Sequence, residues 1–190
     1  AWSDDMKSRH VGLSSFIYTE WLRPIVDYYL TIKRNEAMFE IILPVIAAVI
    51  CGRSYYIYGD VNRALKALAD LLPTAISILI GFTVMLITLL LTSSGEDIDN
   101  IKKIITDKKV HGKAITLYQG LHIQFSHLLF SEVLLLLIVF FYLFLSGLGW
   151  VKGKDIAFLG IEVYLTLNIL LSILRGIANL YFSFYRSDVK

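Results

Sequence analysis

Along this chain, long apolar runs alternate with short polar stretches. No charged residue stands between Asp70 and Glu96, nor between Glu132 and Lys152. Each run is near or above the ~20 residues that cross the hydrocarbon core of a bilayer. Two more apolar stretches, 37–58 and 156–185, are broken by single polar or charged positions. The pattern predicts an all-α protein: a four-span transmembrane helical bundle with spans at about 37–58, 71–92, 126–150 and 156–185. Residues 1–36 then form a cytosolic or interfacial N-terminal segment. Residues 37–190 form the membrane domain, with 93–125 as a cytosolic loop.

The last span carries the most information. Within Glu162–Tyr185, the positions Asn168, Ser172, Arg175, Gly176, Asn179 and Ser183 step by three and four, and Arg186 extends the series. On a helix they make one polar stripe, which in lipid has to face protein or water. Arg175 needs a carboxylate or a lipid phosphate. The antiparallel order of the spans puts Glu40, Glu132 and Arg175 near one membrane face, and Arg53 and Glu162 near the other. The expected pairs are Arg175 with Glu40 or Glu132, and Arg53 with Glu162.

The remaining elements follow in order. Residues 13–34 put Ile17, Trp21, Ile25, Tyr28, Tyr29 and Ile32 at helical spacing among charges, which predicts an amphipathic helix broken or restarted near Pro24. Its Trp and Tyr suit the headgroup layer, and packing on the base of the bundle remains the other option. Pro44 predicts a kink one turn into the first span. Residues 59–70 read as a polar link. In the second span, Thr74, Ser77, Gly81, Thr88 and Thr92 share a face, and Ser77 and Gly81 form a small-xxx-small pair suited to a helix–helix contact. In the loop, 96–105 start a short helix with Ile98, Ile101, Ile104 and Ile105 on one face. His111-Gly112 breaks it, and a helix resumes from Thr116, so a helical stalk is expected. The third span, apolar all round, suits a lipid-facing helix.

Composition agrees and orients the bundle. The chain has 190 residues, 56% of them hydrophobic, with mean hydropathy +0.65. A single cysteine, Cys51, excludes an internal disulfide framework. No short apolar run followed by small residues marks a cleavable leader at the start. Of the 18 Lys and Arg, only Arg53, Arg63, Lys66, Lys152 and Lys154 fall on the side of the two short links. By the positive-inside rule, both termini and the 93–125 loop lie in the cytosol, as in a multi-pass protein of a bacterial inner membrane.

Reactive chemistry is missing from the pattern. There is no phosphate-binding glycine loop, no nucleophile elbow and no zinc motif, and His122 and His127 are five apart rather than four. His10, His111, His122 and His127 read as headgroup-level or loop residues. The expectation is a non-enzymatic protein with no cofactor or metal. Its polar surface mixes Lys102, Lys103, Lys108, Lys109 and Lys113 with Glu96, Asp97, Asp99 and Asp107. Mixed charge, with a net charge of only +2, favours docking of a protein partner over nucleic acid. Membrane lipid and further copies of the chain are the other expected partners. The alternative is an oligomeric ion channel or pore, lined by the stripe of the last span.

The strings IGFTVMLITLLLTSS, LYQGLHIQFSHLLFSE and NILLSILRGIANLYFSFYR, in this order and spacing, resemble the KwaA family, membrane subunits of the Kiwa antiphage defence system. The resemblance covers roughly residues 37–186 and is a pattern of spans, with no site motif to transfer. It implies a four-span homotetramer of the inner membrane. Such a protein would sense phage attack and recruit a cytosolic effector, KwaB, which itself binds DNA.

Overall fold

The computed structural model of the protein describes residues 22–110, 112–150 and 153–185. Helix α1 is Arg23–Thr31 and α2 is Arg34–Ala37. A π turn, Met38–Ile42, leads into α3, Leu43–Tyr58. Then come α4 (Val61–Thr92), α5 (Glu96–Lys103), strands β1 (Ile105–Val110) and β2 (Lys113–Thr116), α6 (Leu117–Gly147) and α7 (Asp155–Tyr185). Four helical stretches, Arg34–Tyr58, Val61–Thr92, Leu117–Gly147 and Asp155–Phe182, are long and apolar enough to cross a membrane. The chain is a multi-pass, all-α membrane protein. Residues 13–21 of the expected N-terminal helix, His10, His111 and Arg186 lie outside the described residues.

Two prolines set local geometry. Pro24 sits in the first turn of α1, where its missing N–H is not needed. Pro44 has no N–H for the carbonyl four residues back, which belongs to Glu40. The chain widens there into the π turn, and the Leu43 N–H reaches back to the Met38 carbonyl. Pro44 then opens the first turn of α3.

Three expectations are corrected. Residues 59–70 are mostly helix, not link. The Asp60 side chain accepts from the Asn62 and Arg63 N–H groups at 3.0 and 3.3 Å and so starts α4 at Val61. At 1.5 Å per residue α4 is about 48 Å long, so its charged first turns extend past a ~30 Å apolar layer. Second, α6 is the central helix rather than a lipid-facing one. It packs on α4, α7 and α1, with Leu135, Val139 and Tyr142 buried, while Leu137, Phe140, Phe141 and Phe144 face outward. Core and lipid ask for the same side chains, so composition alone could not tell the faces apart.

Third, the helical stalk is a helix and a hairpin. Ile98 and Ile101 of α5 are buried, but the chain leaves the helix at Ile104 and Ile105 is exposed. Strand β1 pairs antiparallel with β2, Val110 opposite Lys113 and Ile105 opposite Thr116, with a bulge between Ile105 and Lys109. Gly112, at φ +80°, supplies the left-handed turn residue. The signal was present: Ile105, Thr106, Val110, Ile115 and Thr116 are β-branched and flank a two-residue gap. Thr116 ends the hairpin and caps α6, exchanging bonds with Gln119 at 2.9 and 3.3 Å.

The main core joins Leu72 and Ile76 of α4, Leu121, Phe125, Leu128, Leu135 and Val139 of α6, and Leu165 and Ile169 of α7. Helices α6 and α7 meet closely at Gly176, where a Cβ would stand 2.9 Å from Phe125 Cε1. The end of the bundle that carries α1, α5 and the hairpin is called the near end below. The end holding Asp60 and Asp155 is the far end.

Candidate functional site

At the near end, charged side chains link the hairpin to the bundle core. Arg175 of α7 is the hub. Its Nε lies 2.7 Å from Glu40 Oε1 and one terminal nitrogen 3.0 Å from Glu36 Oε2. The other terminal nitrogen donates to the Tyr28 hydroxyl at 3.0 Å. Tyr28 in turn donates to the second oxygen of Glu40. The contacts with the two glutamates are ion pairs rather than aligned hydrogen bonds. Glu36 continues outward: it accepts from Lys108 Nζ of β1 at 3.0 and 3.2 Å and from the Lys33 N–H at 2.9 Å. Lys33 Nζ reaches Asp107 at 3.2 Å. Side-chain exposure falls steadily inward, from 88% at Asp107 to 24% at Glu36, 12% at Arg175 and 0% at Glu40.

Local structure explains why these groups meet. Glu36 and Glu40 are four apart on one helical stretch and share a face. The π turn presents Glu40 inward, and its carbonyl, left without an N–H by Pro44, accepts from Asn168 Nδ2 at 2.7 Å. From Asn168 to Asn179 the polar stripe of α7 therefore points into its own bundle. Asn179 donates to Gln124 Oε1 at 2.9 Å, and Gln124 donates to the Ser172 carbonyl at 3.2 Å. Tyr28 comes from α1, its ring stacked on His127 of α6 at 3.7 Å and 7°. Burial, above all, pushes the Tyr28 phenol up from its ordinary value; Arg175 opposes this and Glu40 adds to it. The phenol therefore stays a hydrogen-bond donor. Two carboxylates, Glu36 and Glu40, face two cations, Arg175 and Lys108, so the buried charges balance.

The structure sorts the other expected residues. Glu132 is not a partner of Arg175: it is buried on α6 and accepts from Thr83 Oγ1 of α4 at 2.9 Å. The two glutamates share a depth, but α6 turns Glu132 toward α4. Arg53 and Glu162 do not pair. Arg53 is exposed, whereas Glu162 is fully buried with neither oxygen hydrogen-bonded. Ser77 and Gly81 face outward. Nothing lies within 4 Å of a Gly81 Cβ, and Ser77 Oγ donates to its own helix at the Pro73 carbonyl, so the pair is no seam between helices of this chain.

The five lysines are held in different ways. Lys108 joins the ion-pair chain, and Lys102 pairs with Asp99 at 3.7 Å and lies over the Tyr118 ring. Lys103, Lys109 and Lys113 are exposed on α5 and the hairpin. Glu36, Tyr28, Thr83, Gln124 and His127 were missed from the sequence. His127, expected at headgroup level, is buried in the bundle. Only Glu36 left a signal, its i,i+4 spacing to Glu40. Among the described residues no cluster of His, Cys, Asp and Glu could hold a metal.

Fold and site together define a four-helix membrane bundle with an ion-pair chain running from a hairpin into its core. No family model, curated protein or solved structure matches the chain.

Proposed function

We propose that this protein is a non-enzymatic sensor or scaffold of the bacterial inner membrane that passes a signal between the bilayer and a cytosolic effector. The near end is its cytosolic end, and both termini lie on that side. The observation that carries the reading is the unbroken series Lys108–Glu36–Arg175–Glu40. It ties the hairpin, the part best placed to meet a soluble partner, to an arginine inside the bundle. Moving the hairpin strips a cation from Glu36, and moving α7 strips Arg175 from both glutamates. Either event shifts the balance of the whole series, which is what a coupling element needs. By its resemblance to KwaA, the protein works in antiphage defence as a homo-oligomer of four chains, with KwaB as the effector. From Asn168 to Asn179 the stripe of α7 is spent inside its own chain, which argues against its lining a pore between copies.

The test uses cells carrying the gene together with that of a KwaB-type soluble effector. The wild type should protect against phage and co-purify with that protein. Lys108→Glu should reach the membrane in normal amount but lose both. Equal protection with and without the gene, or full protection by Lys108→Glu, contradicts the reading.

A further inference from the structure

Helix α1 has two faces in different surroundings. Tyr28 and Thr31 are buried, and the Tyr28 and Tyr29 rings meet His127 of α6 at 3.7 and 5.6 Å. Leu22, just before the helix, and Val26, Tyr29 and Leu30 within it are 36–56% exposed. They recur at i, i+4, i+7 and i+8, so they form one open apolar strip. Arg23 stands at its edge, also exposed.

Depth decides what can cover that strip. On α7, Arg175 stands 20 residues from Asp155, about 30 Å at 1.5 Å per residue, which matches the ~30 Å thickness of a hydrocarbon core. Asp155 therefore marks the far boundary and Arg175 the near one. The Tyr28 hydroxyl accepts from Arg175 at 3.0 Å, so α1 lies at the near boundary. The hairpin starts farther out. Thr116 is nine residues before Phe125, which lies against Gly176, a step of about 14 Å along α6. On the bundle side, the outward apolar band of the first span begins at Met38 and Phe39, just after Glu36, itself paired with Arg175. The strip on α1 thus continues a lipid-facing surface at the same depth.

We propose that α1 is docked on the bilayer. Leu22, Val26, Tyr29 and Leu30 sit among the acyl chains just under the near headgroups, and this contact holds the Tyr28 hydroxyl on Arg175 and Glu40. A tyrosine suits that depth, because its ring is apolar and its hydroxyl is not. Arg23 and Arg34, exposed and in no ion pair among the described residues, are placed to meet headgroup phosphates. An amphipathic helix lying in the interface plane is held in this way. One short helix carries both contacts: Tyr28 faces the bundle and Tyr29 the lipid. Lifting the strip from the bilayer therefore lifts Tyr28 from the ion pair, so the lipid surface is a ligand of the site. This docking needs the membrane spans, and no effector or defence role.

The test places a nitroxide spin label on single cysteines in a Cys51→Ser background, with the protein in vesicles of phosphatidylethanolamine and phosphatidylglycerol. Val26→Cys and Leu30→Cys report α1, Phe140→Cys reports the lipid-facing side of α6, and Lys103→Cys reports water. Oxygen, which partitions into lipid, should relax the labels at 26, 30 and 140 more strongly than a water-soluble nickel chelate, with the reverse at 103. A nickel preference at 26 and 30 would mean that water covers the strip, and access to neither reagent would mean that protein does; each overturns the proposal. A nickel preference at 140 would remove the membrane spans and the proposal with them. The double variant Val26→Gln with Leu30→Gln keeps helix propensity, so on a water-facing strip it would leave exchange unchanged. Docked on lipid, it should speed hydrogen exchange in residues 23–31 about tenfold, with α6 unchanged. Exchange there equal to or slower than wild type overturns the proposal as well.

Discussion

The two ends of the bundle treat buried charge in opposite ways. At the near end Glu40 is fully buried but is met by Arg175 and Tyr28, and its backbone carbonyl by Asn168. At the far end Glu162 is equally buried and neither of its oxygens has a hydrogen-bond partner. A met charge is part of the scaffold: removing one partner strands the other. An unmet one costs stability by being there. The same residue type, at the same burial, should therefore give mutants of opposite sign at the two ends.

Arg175→Leu should have the largest effect. It strands Glu40 and should cost about 3–5 kcal/mol, read as denaturant-induced unfolding in detergent. The double variant Arg175→Leu with Glu40→Gln should recover much of the loss, and additive losses would break the near-end half of the comparison. Glu162→Leu should go the other way. It replaces a lone buried carboxyl by a side chain of similar size and should add about 1–3 kcal/mol. A loss of stability there would show that Glu162 is met after all.

Asn168→Ala isolates the backbone part of the near end. It leaves the Glu40 carbonyl without a donor and should cost about 1–3 kcal/mol. Pro44→Ala supplies an N–H to that same carbonyl, so the pair Pro44→Ala and Asn168→Ala should be less harmful than Asn168→Ala alone. Equal harm in the two would mean that Asn168 acts elsewhere.

Lys108→Ala touches the half-exposed outer part of the chain and should cost no more than about 1 kcal/mol. Its mark should be faster hydrogen exchange in β1 and β2, with α6 unchanged. Least of all, Gly81→Leu lies on an outward face and should stabilise a single chain by less than about 1 kcal/mol, through the helix propensity that glycine lacks. A loss of stability or a change in elution reports contact between copies.

Sequence reasoning reached the parts that rest on runs and periods. Two charge-free stretches and two broken apolar runs located the spans, and the three-and-four spacing of Asn168, Ser172, Arg175 and Asn179 showed that α7 has an inward polar face. What it missed depends on rotation and on chain return. Glu132 and Glu40 share a depth, and only the rotation of α6 sends Glu132 to Thr83. Tyr28 reaches Arg175 because α1 folds back onto α6, a long-range event with no period to read. The hairpin was overlooked because the isoleucines of 98–105 fit a helical face until Ile104, where the backbone turns extended.

The central claim is that the hairpin and the membrane interior are mechanically joined through Arg175. Hydrogen exchange of α1 and of the hairpin, compared between wild type and the double variant Arg175→Leu with Glu40→Gln, tests it most directly. The double variant carries no stranded charge at position 40 and should stay folded, with α4 and α6 protected as in wild type. The account predicts faster exchange in residues 23–31 and 105–116. Exchange there identical to wild type would contradict it.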